Sequence, residues 1–277
     1  MTGVMICTET DFSFRCLRAG STFKVSTEGR MANPVRKIGK YGKSGPQFPE
    51  GLKELSAYVK KDNPLPSPPP SVDFYAKVAA WPMDGNDKYG DCTMAAAAHC
   101  IQQWNGIART PDPVPSEQDV VSQYLKLTHD KDTGLVESSV LGTWKSSGLW
   151  QNRILGYAPV NVHDNVSLQQ AVYLFGAAYV GIQVPANAES QFEGGQPWTL
   201  ASGWQKQPIQ GGHAIPFVGY DADWLYCITW GAVQKVAWDW WQTYGDEAWA
   251  ILPQEFKEAK VVNNIDFDSL LADLPKV

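Results

Sequence analysis

A cysteine acts as a nucleophile as its thiolate, and one stretch of this chain sets a cysteine where the thiolate is favoured. In Asn86-Asp87-Lys88-Tyr89-Gly90-Asp91-Cys92-Thr93-Met94-Ala95, a glycine-containing loop delivers Cys92 to the first turn of a small-residue helix. A helix N-terminus offers unpaired N–H groups and roughly half a positive charge. Such settings bring a cysteine pKa from about 8.5 into the range of roughly 3.5 to 7.5. The same N–H groups suit a developing oxyanion. The competing reading is a buried cysteine in a core helix, since Ala95 to Ala98 let another element pack closely.

A thiolate needs a base, and the chain has 4 histidines. His99 falls on the same helix face as Cys92, but about 10 Å along the axis at roughly 1.5 Å per residue. That is too far for direct proton exchange, so His99 reads as packed or capping. His129 ends a helix, where a cation suits the dipole, and His163 lies in a polar loop. His213 remains, in Gly211-Gly212-His213-Ala214-Ile215-Pro216-Phe217-Val218-Gly219-Tyr220. There it opens a strand behind two glycines that leave room for a substrate backbone. Gly90 and Gly212 are the candidate substrate-contacting positions. By itself, His213 would read as an ordinary histidine at a strand start.

Elements of two kinds must bring these residues together. Apolar spacing predicts a helix from Cys92 to about Trp104, with Asp91 as N-cap and Asn105-Gly106 as its stop. A second helix starts at Ser116, with Asp119 in the capping-box position, and runs to about His129. A third covers Ser138 to Ser146, ended by Gly148, and a fourth runs from about Ser167 to Gly176. Residues 178–184 then read as a buried strand stopped by Pro185. His213 to Tyr220, Leu225 to Trp230 and Ala248 to Leu252 read as further strands. Helices first and strands later indicate an α+β class, a helical half packed on an antiparallel sheet.

Composition narrows the rest. The chain has 277 residues with 44% apolar and 19% charged, enough for a sizeable core and against disorder throughout. With 23 basic against 29 acidic residues, a nucleic-acid partner held by bulk charge is not expected. The 12 Trp and 11 Tyr fit a large packed core better than a carbohydrate groove. Five cysteines are too few, and odd in number, for a disulfide scaffold. Cys100 and Cys227 read as small buried hydrophobes. No stretch reaches the roughly 20 apolar residues of a membrane span, and no signal-peptide pattern opens the chain. A cytoplasmic location is therefore expected.

Residues 1–71 read as an N-terminal arm, 72–260 as the globular domain and 261–277 as a tail. Residues 1–30 lack a clear period, and Met31 would serve as a start, so they read as an upstream extension. One short helix is expected at Glu50 to Lys60. Pro64, Pro66, Pro68, Pro69 and Pro70 form a stiff extended segment, read first as a spacer or an arm lying on the domain or on another subunit, and second as a ligand for a proline-binding partner. Cysteine and histidine spacings fit no zinc pattern, and no phosphate-cradling loop is present. No metal or cofactor is expected.

The Gly-Asp-Cys helix start, the Gly-Gly-His-Ala-Ile-Pro-Phe-Val-Gly-Tyr strand and Thr229-Trp230-Gly231 together resemble the papain-like cysteine peptidases, over about Phe74 to Pro253. Asp91 before Cys92 resembles the bacteriocin-processing members, and the whole resembles uncharacterised bacterial and phage members. The resemblance implies Cys92 as nucleophile and His213 as base. It places Asn86, six residues before the cysteine, as the oxyanion donor in place of the family glutamine. It also implies Trp230 shielding the histidine as a further substrate-contacting position, a peptide or protein substrate, and, through the phage members, a virion-associated location as the alternative to a cytoplasmic one.

Two departures stand out. The alignment puts Ile228 where the histidine-orienting asparagine belongs, and isoleucine accepts no hydrogen bond. Thr229 is next door but alternates to the other strand face. The third member is then lost, or supplied by Asp221, Asp239 or a backbone carbonyl. No family propeptide is recognisable in residues 1–70. Three functions follow: a thiol hydrolase working through an acyl-enzyme, acyl transfer by the same pair, or an impaired fold serving as a binding or virion protein.

Overall fold

The computed structural model describes residues 36–107, 113–254 and 265–275. The expected extension at residues 1–30, with Cys7 and Cys16, lies outside the described residues. Among those described, six strands form one antiparallel sheet. They are β1 (Ile154–Pro159), β2 (Ala178–Pro185), β3 (Ile209–Tyr220), β4 (Trp224–Thr229), β5 (Ala232–Ala237) and β6 (Gly245–Pro253). Their order across the sheet is β1-β6-β2-β3-β4-β5. The helices are α1 (Cys92–Ile107), α2 (Glu117–Leu127), α3 (Glu137–Ser146), α4 (Asn165–Phe175), α5 (Ala186–Glu193), α6 (Trp238–Tyr244) and α7 (Phe267–Asp273). The class is α+β, with α1 laid against β3.

Local chemistry accounts for most boundaries. Ser116 and Asp119 form the reciprocal capping box that starts α2. Asp164 caps α4 by accepting from the Ser167 N–H, and Gly176 ends it in the left-handed region at φ 80°. α1 runs through Asn105 and Gly106 rather than stopping there. Gly106 acts as a point of close approach, since a Cβ on it would stand 2.8 Å from a Val78 methyl. The carboxyl oxygens of Asp91, the expected N-cap, are buried without a hydrogen-bond partner.

The helix expected at Glu50 to Lys60 is only a 3-10 turn at Leu55–Tyr58. Tyr58 is tied to distant chain instead, donating its hydroxyl to Asp273 on α7 and accepting the Lys53 N–H. β3 begins at Ile209, before His213, so Gly211 and Gly212 lie inside the ladder opposite Val184 and Gln183. Periodicity passed over β1, β5, α5, α6 and α7, all short.

From Arg36 onward, the described residues belong to one compact unit. The proline segment lies on the domain: Pro66 accepts from Gln170, Pro69 accepts from the Tyr220 hydroxyl, and Val72 bridges Tyr220. α7 packs on β1 and the 3-10 turn. Among the described residues, no helix is long and apolar enough to cross a membrane.

Candidate active site

α1 and β3 carry the two candidate catalytic side chains to one place. Cys92 is the first residue of α1 and His213 lies within β3; both are buried. With Asn86, Ala214, Ile228, Thr229 and Trp230 they line one cavity between helix and sheet. The space left there is about 10 Å³, room for about one water.

The histidine is held by a residue that strand alternation set aside. His213 Nε2 lies 2.8 Å from Thr229 Oγ1. Thr229 closes β4 opposite Ala232, and Trp230 and Gly231 follow with φ of 45° and 71°. Two successive positive φ values across a two-residue connection match a type I′ hairpin turn. The expectation that Thr229 faces away is corrected by the His213 contact, since its hydroxyl reaches the imidazole beside Ile228. Asp221 is engaged elsewhere, accepting from the N–H groups of Asp223 and Trp224 and from the Tyr226 hydroxyl. Asp239 caps the Trp240 N–H.

Trp230 stacks on the imidazole, with centroids 4.8 Å apart and planes at 28°. Phe192 and Trp198 back it edge-on. In the tautomer with the proton on Nε2, that N–H donates to Thr229 and Nδ1 carries the lone pair. Nδ1 is buried and has no hydrogen-bond partner, so it makes none with Cys92.

The cleft is occupied by the protein's own chain. Residues 36–44 form a strap between the Cys92 loop and the His213 strand. Lys40 N–H donates to the Asn86 carbonyl at 2.7 Å, and Asn86 Nδ2 donates to the Lys40 carbonyl at 3.0 Å. Lys43 N–H donates to the Gly212 carbonyl at 3.2 Å. Leu135 N–H donates to the Gly42 carbonyl, and Ser44 N–H to the Leu135 carbonyl. Tyr41 sets its ring edge-on to both His213 and Trp230 and donates its hydroxyl to Glu189.

Glycines make this fit. A Cβ on Gly42 would stand 1.6 Å from the Gly90 carbonyl oxygen, and one on Gly212 would stand 2.5 Å from the Lys43 oxygen. The room expected for substrate at Gly90 and Gly212 is filled by the strap. The strap is placed in the cleft by contacts with Asn86, Leu135 and Gly212, far from it in sequence.

Occlusion reverses the expected electrostatics. Burial pushes the Cys92 thiol up to about 12, although the Ala214 and Gly42 N–H groups point at it and act the other way. Burial likewise holds His213 down at about 3. The thiol pKa in this closed state thus departs in the direction opposite to the helix-start expectation, because burial disfavours the charged form. His99 also lines the cavity, with Nε2 2.9 Å from the Pro82 carbonyl and 3.3 Å from Asp84 Oδ2. Cys100 and Cys227 are buried free thiols.

The overall arrangement has known counterparts. Xylellain, a cysteine protease from Xylella fastidiosa, superposes with a TM-score of 0.60 at 15% identity, covering 80% of this chain and 98% of that one. Procathepsin B S9 from Trypanosoma congolense gives 0.53 at 10% identity, covering 77% and 86%. The digestive procathepsin L2 of Tenebrio molitor gives 0.50 at 17%, covering 74% and 78%. No family model matches the sequence, and no curated protein matches it. The chain has the papain-like fold.

Proposed function

We propose that this chain is a thiol-dependent hydrolase, a peptidase or amidase, that works through an acyl-enzyme and is latent in the closed state described. The observation that carries the reading is the Thr229–His213 hydrogen bond, which leaves Nδ1 unpartnered in the cavity that Cys92 also lines. A structural histidine has no need of that arrangement, and a general base does.

With the strap displaced, the Cys92 sulfur attacks a carbonyl carbon and its proton passes to His213 Nδ1. Asn86 Nδ2 and the Cys92 backbone N–H hold the oxyanion. The tetrahedral adduct collapses, and His213 returns the proton to the leaving amine. Water then attacks the thioester, with His213 as base, and the thiol leaves. Thr229 accepts from the imidazolium and fixes its plane throughout. Trp230 keeps water off one ring face. The shared fold supports this reading, since xylellain is described as a cysteine protease.

A second reading is a non-catalytic protein on the same fold. The strap favours it, because it fills the cleft and is anchored at both ends by hydrogen bonds. One experiment separates the two: labelling with a thiol-directed electrophile and hydrolysis of a mixed peptide library, in the wild type, Gly42→Ala and Gly42→Ala/Cys92→Ala. Turnover in Gly42→Ala that vanishes with Cys92 supports the hydrolase. Strap release with no Cys92-dependent turnover overturns it.

A further inference from the structure

The strap does more than cover the cleft: it inserts one side chain into a pocket beside it. The Lys43 side chain is fully buried, with its ammonium 2.8 Å from Glu247 Oε1 and 3.0 Å from both oxygens of Asp246. A third carboxyl, that of Glu137, is buried nearby, and neither of its oxygens has a hydrogen-bond partner. β2 makes the depth available by carrying a glycine at this point. A Cβ on Gly181 would stand 2.0 Å from Lys43 Cε and 2.6 Å from Asp246 Oδ1.

The pocket opens into the cleft at the reaction centre. Lys43 donates its N–H to the carbonyl of Gly212, the residue before His213. The preceding N–H, that of Gly42, points at the Cys92 sulfur. An ammonium seated here is therefore one residue away from the chain atoms nearest the nucleophile.

Taking a cation out of water costs several kcal/mol unless carboxylates and hydrogen bonds replace its hydration. This pocket supplies more acceptors than Lys43 uses. The ammonium is spent on Asp246, Glu247 and the Ser44 carbonyl, and Glu137 is left over. A guanidinium, with five donors in a planar fork, has partners for that remainder. When the strap leaves, buried carboxyl groups remain beside the cleft without their cation.

We propose that this is a specificity pocket for a lysine or arginine side chain of the peptide substrate, which Lys43 occupies while the cleft is closed. The proposal rests on the thiol-hydrolase reading for the reaction, but the pocket's choice of side chain is testable without it.

The test uses the full chain carrying Lys43→Ala and peptides copying residues 38–48, with lysine, arginine or norleucine at the Lys43 position. Fluorescence anisotropy is expected to give at least tenfold tighter binding for the lysine and arginine peptides than for norleucine. Equal or tighter norleucine binding overturns the proposal. Should Lys43→Ala not fold, Gly42→Ala displaces the strap by backbone clash while keeping every pocket residue, and the same peptides are compared on it. Glu247→Gln is expected to erase most of the discrimination, and unchanged discrimination also counts against the pocket. Fluorogenic peptides then separate the two claims. Turnover without a preference for cations overturns the pocket and leaves the hydrolase. Cation-selective binding with no turnover overturns the hydrolase and leaves the pocket.

Discussion

Thr229 Oγ1 and His213 Nε2 lie 2.8 Å apart, across the end of β4 and the middle of β3. This bond matters most when the imidazole carries charge, because a hydrogen bond to an ion contributes roughly 1.5–3 kcal/mol. Thr229→Val keeps the shape and removes the acceptor. In a strap-released background it should lower kcat about 10- to 150-fold at little cost in KM. Thr229→Ser should recover most of the rate. Steady-state kinetics on the three proteins checks this, and a purely structural Thr229 would leave kcat unchanged.

Gly42 passes the Gly90 carbonyl so closely that no side chain fits. Gly42→Ala should therefore drive the strap out and let solvent reach Cys92. Desolvation is the first cause of the raised thiol pKa of about 12. The pH at half-maximal iodoacetamide labelling of Cys92 should accordingly fall in the variant. Mass spectrometry of the Cys92 peptide across pH gives the answer, and coincident profiles would show that the strap does not control the thiol.

Asp84 and Asp91 lie buried below the cysteine loop, with pKa values raised to about 7 and about 8, by burial first. Unfolded, such groups titrate near 3.8. The folded chain thus holds protons that the unfolded chain releases, so this contribution is complete below about 3.8 and is lost as pH rises through 7 and 8. His99 and His213, held at about 4 and about 3 by burial, contribute in the opposite sense. Their contribution is complete above about 6.5 and is lost as pH falls through those values. Above pH 6.5 the histidines are silent. Thermal stability should therefore decline between about pH 6.5 and 8.5, and Asp91→Asn, which mimics the protonated form, should flatten the decline.

Lys43 is the cation of a buried cluster with Asp246 and Glu247. Burial works against its charge, but Glu137, Glu247 and Asp246 outweigh that and hold its pKa above the usual lysine value. Removing one member of such a pair costs about 3–5 kcal/mol, because the partners stay buried and uncompensated. Lys43→Met should lose about that much in urea denaturation. Lys43→Met/Glu247→Gln should recover part of the loss, a non-additivity measured by the double-mutant cycle.

Some of this was legible along the chain because its causes are local. The capping box at Ser116 and Asp119, the left-handed stop at Gly176 and the apolar run of β2 each depend on neighbours within one element. So did the placement of Cys92 at a helix start and of His213 on a strand, and with them the α+β class. Short elements such as β5 and α6 escaped notice, since a few residues give no readable period.

What the sequence determined by itself is which side chains stand at the ends of which elements: a thiol on a helix start, an imidazole on a strand, glycines beside both. What only the tertiary structure decided is the environment those side chains meet. Lys43 finds Asp246 across 203 residues, and Thr229 finds His213 across 16. The thiol pKa lies opposite to the helix-start expectation, because burial by distant chain disfavours the thiolate. Long-range contacts fix desolvation, and desolvation sets the charge state of Cys92 and His213 in the closed cleft.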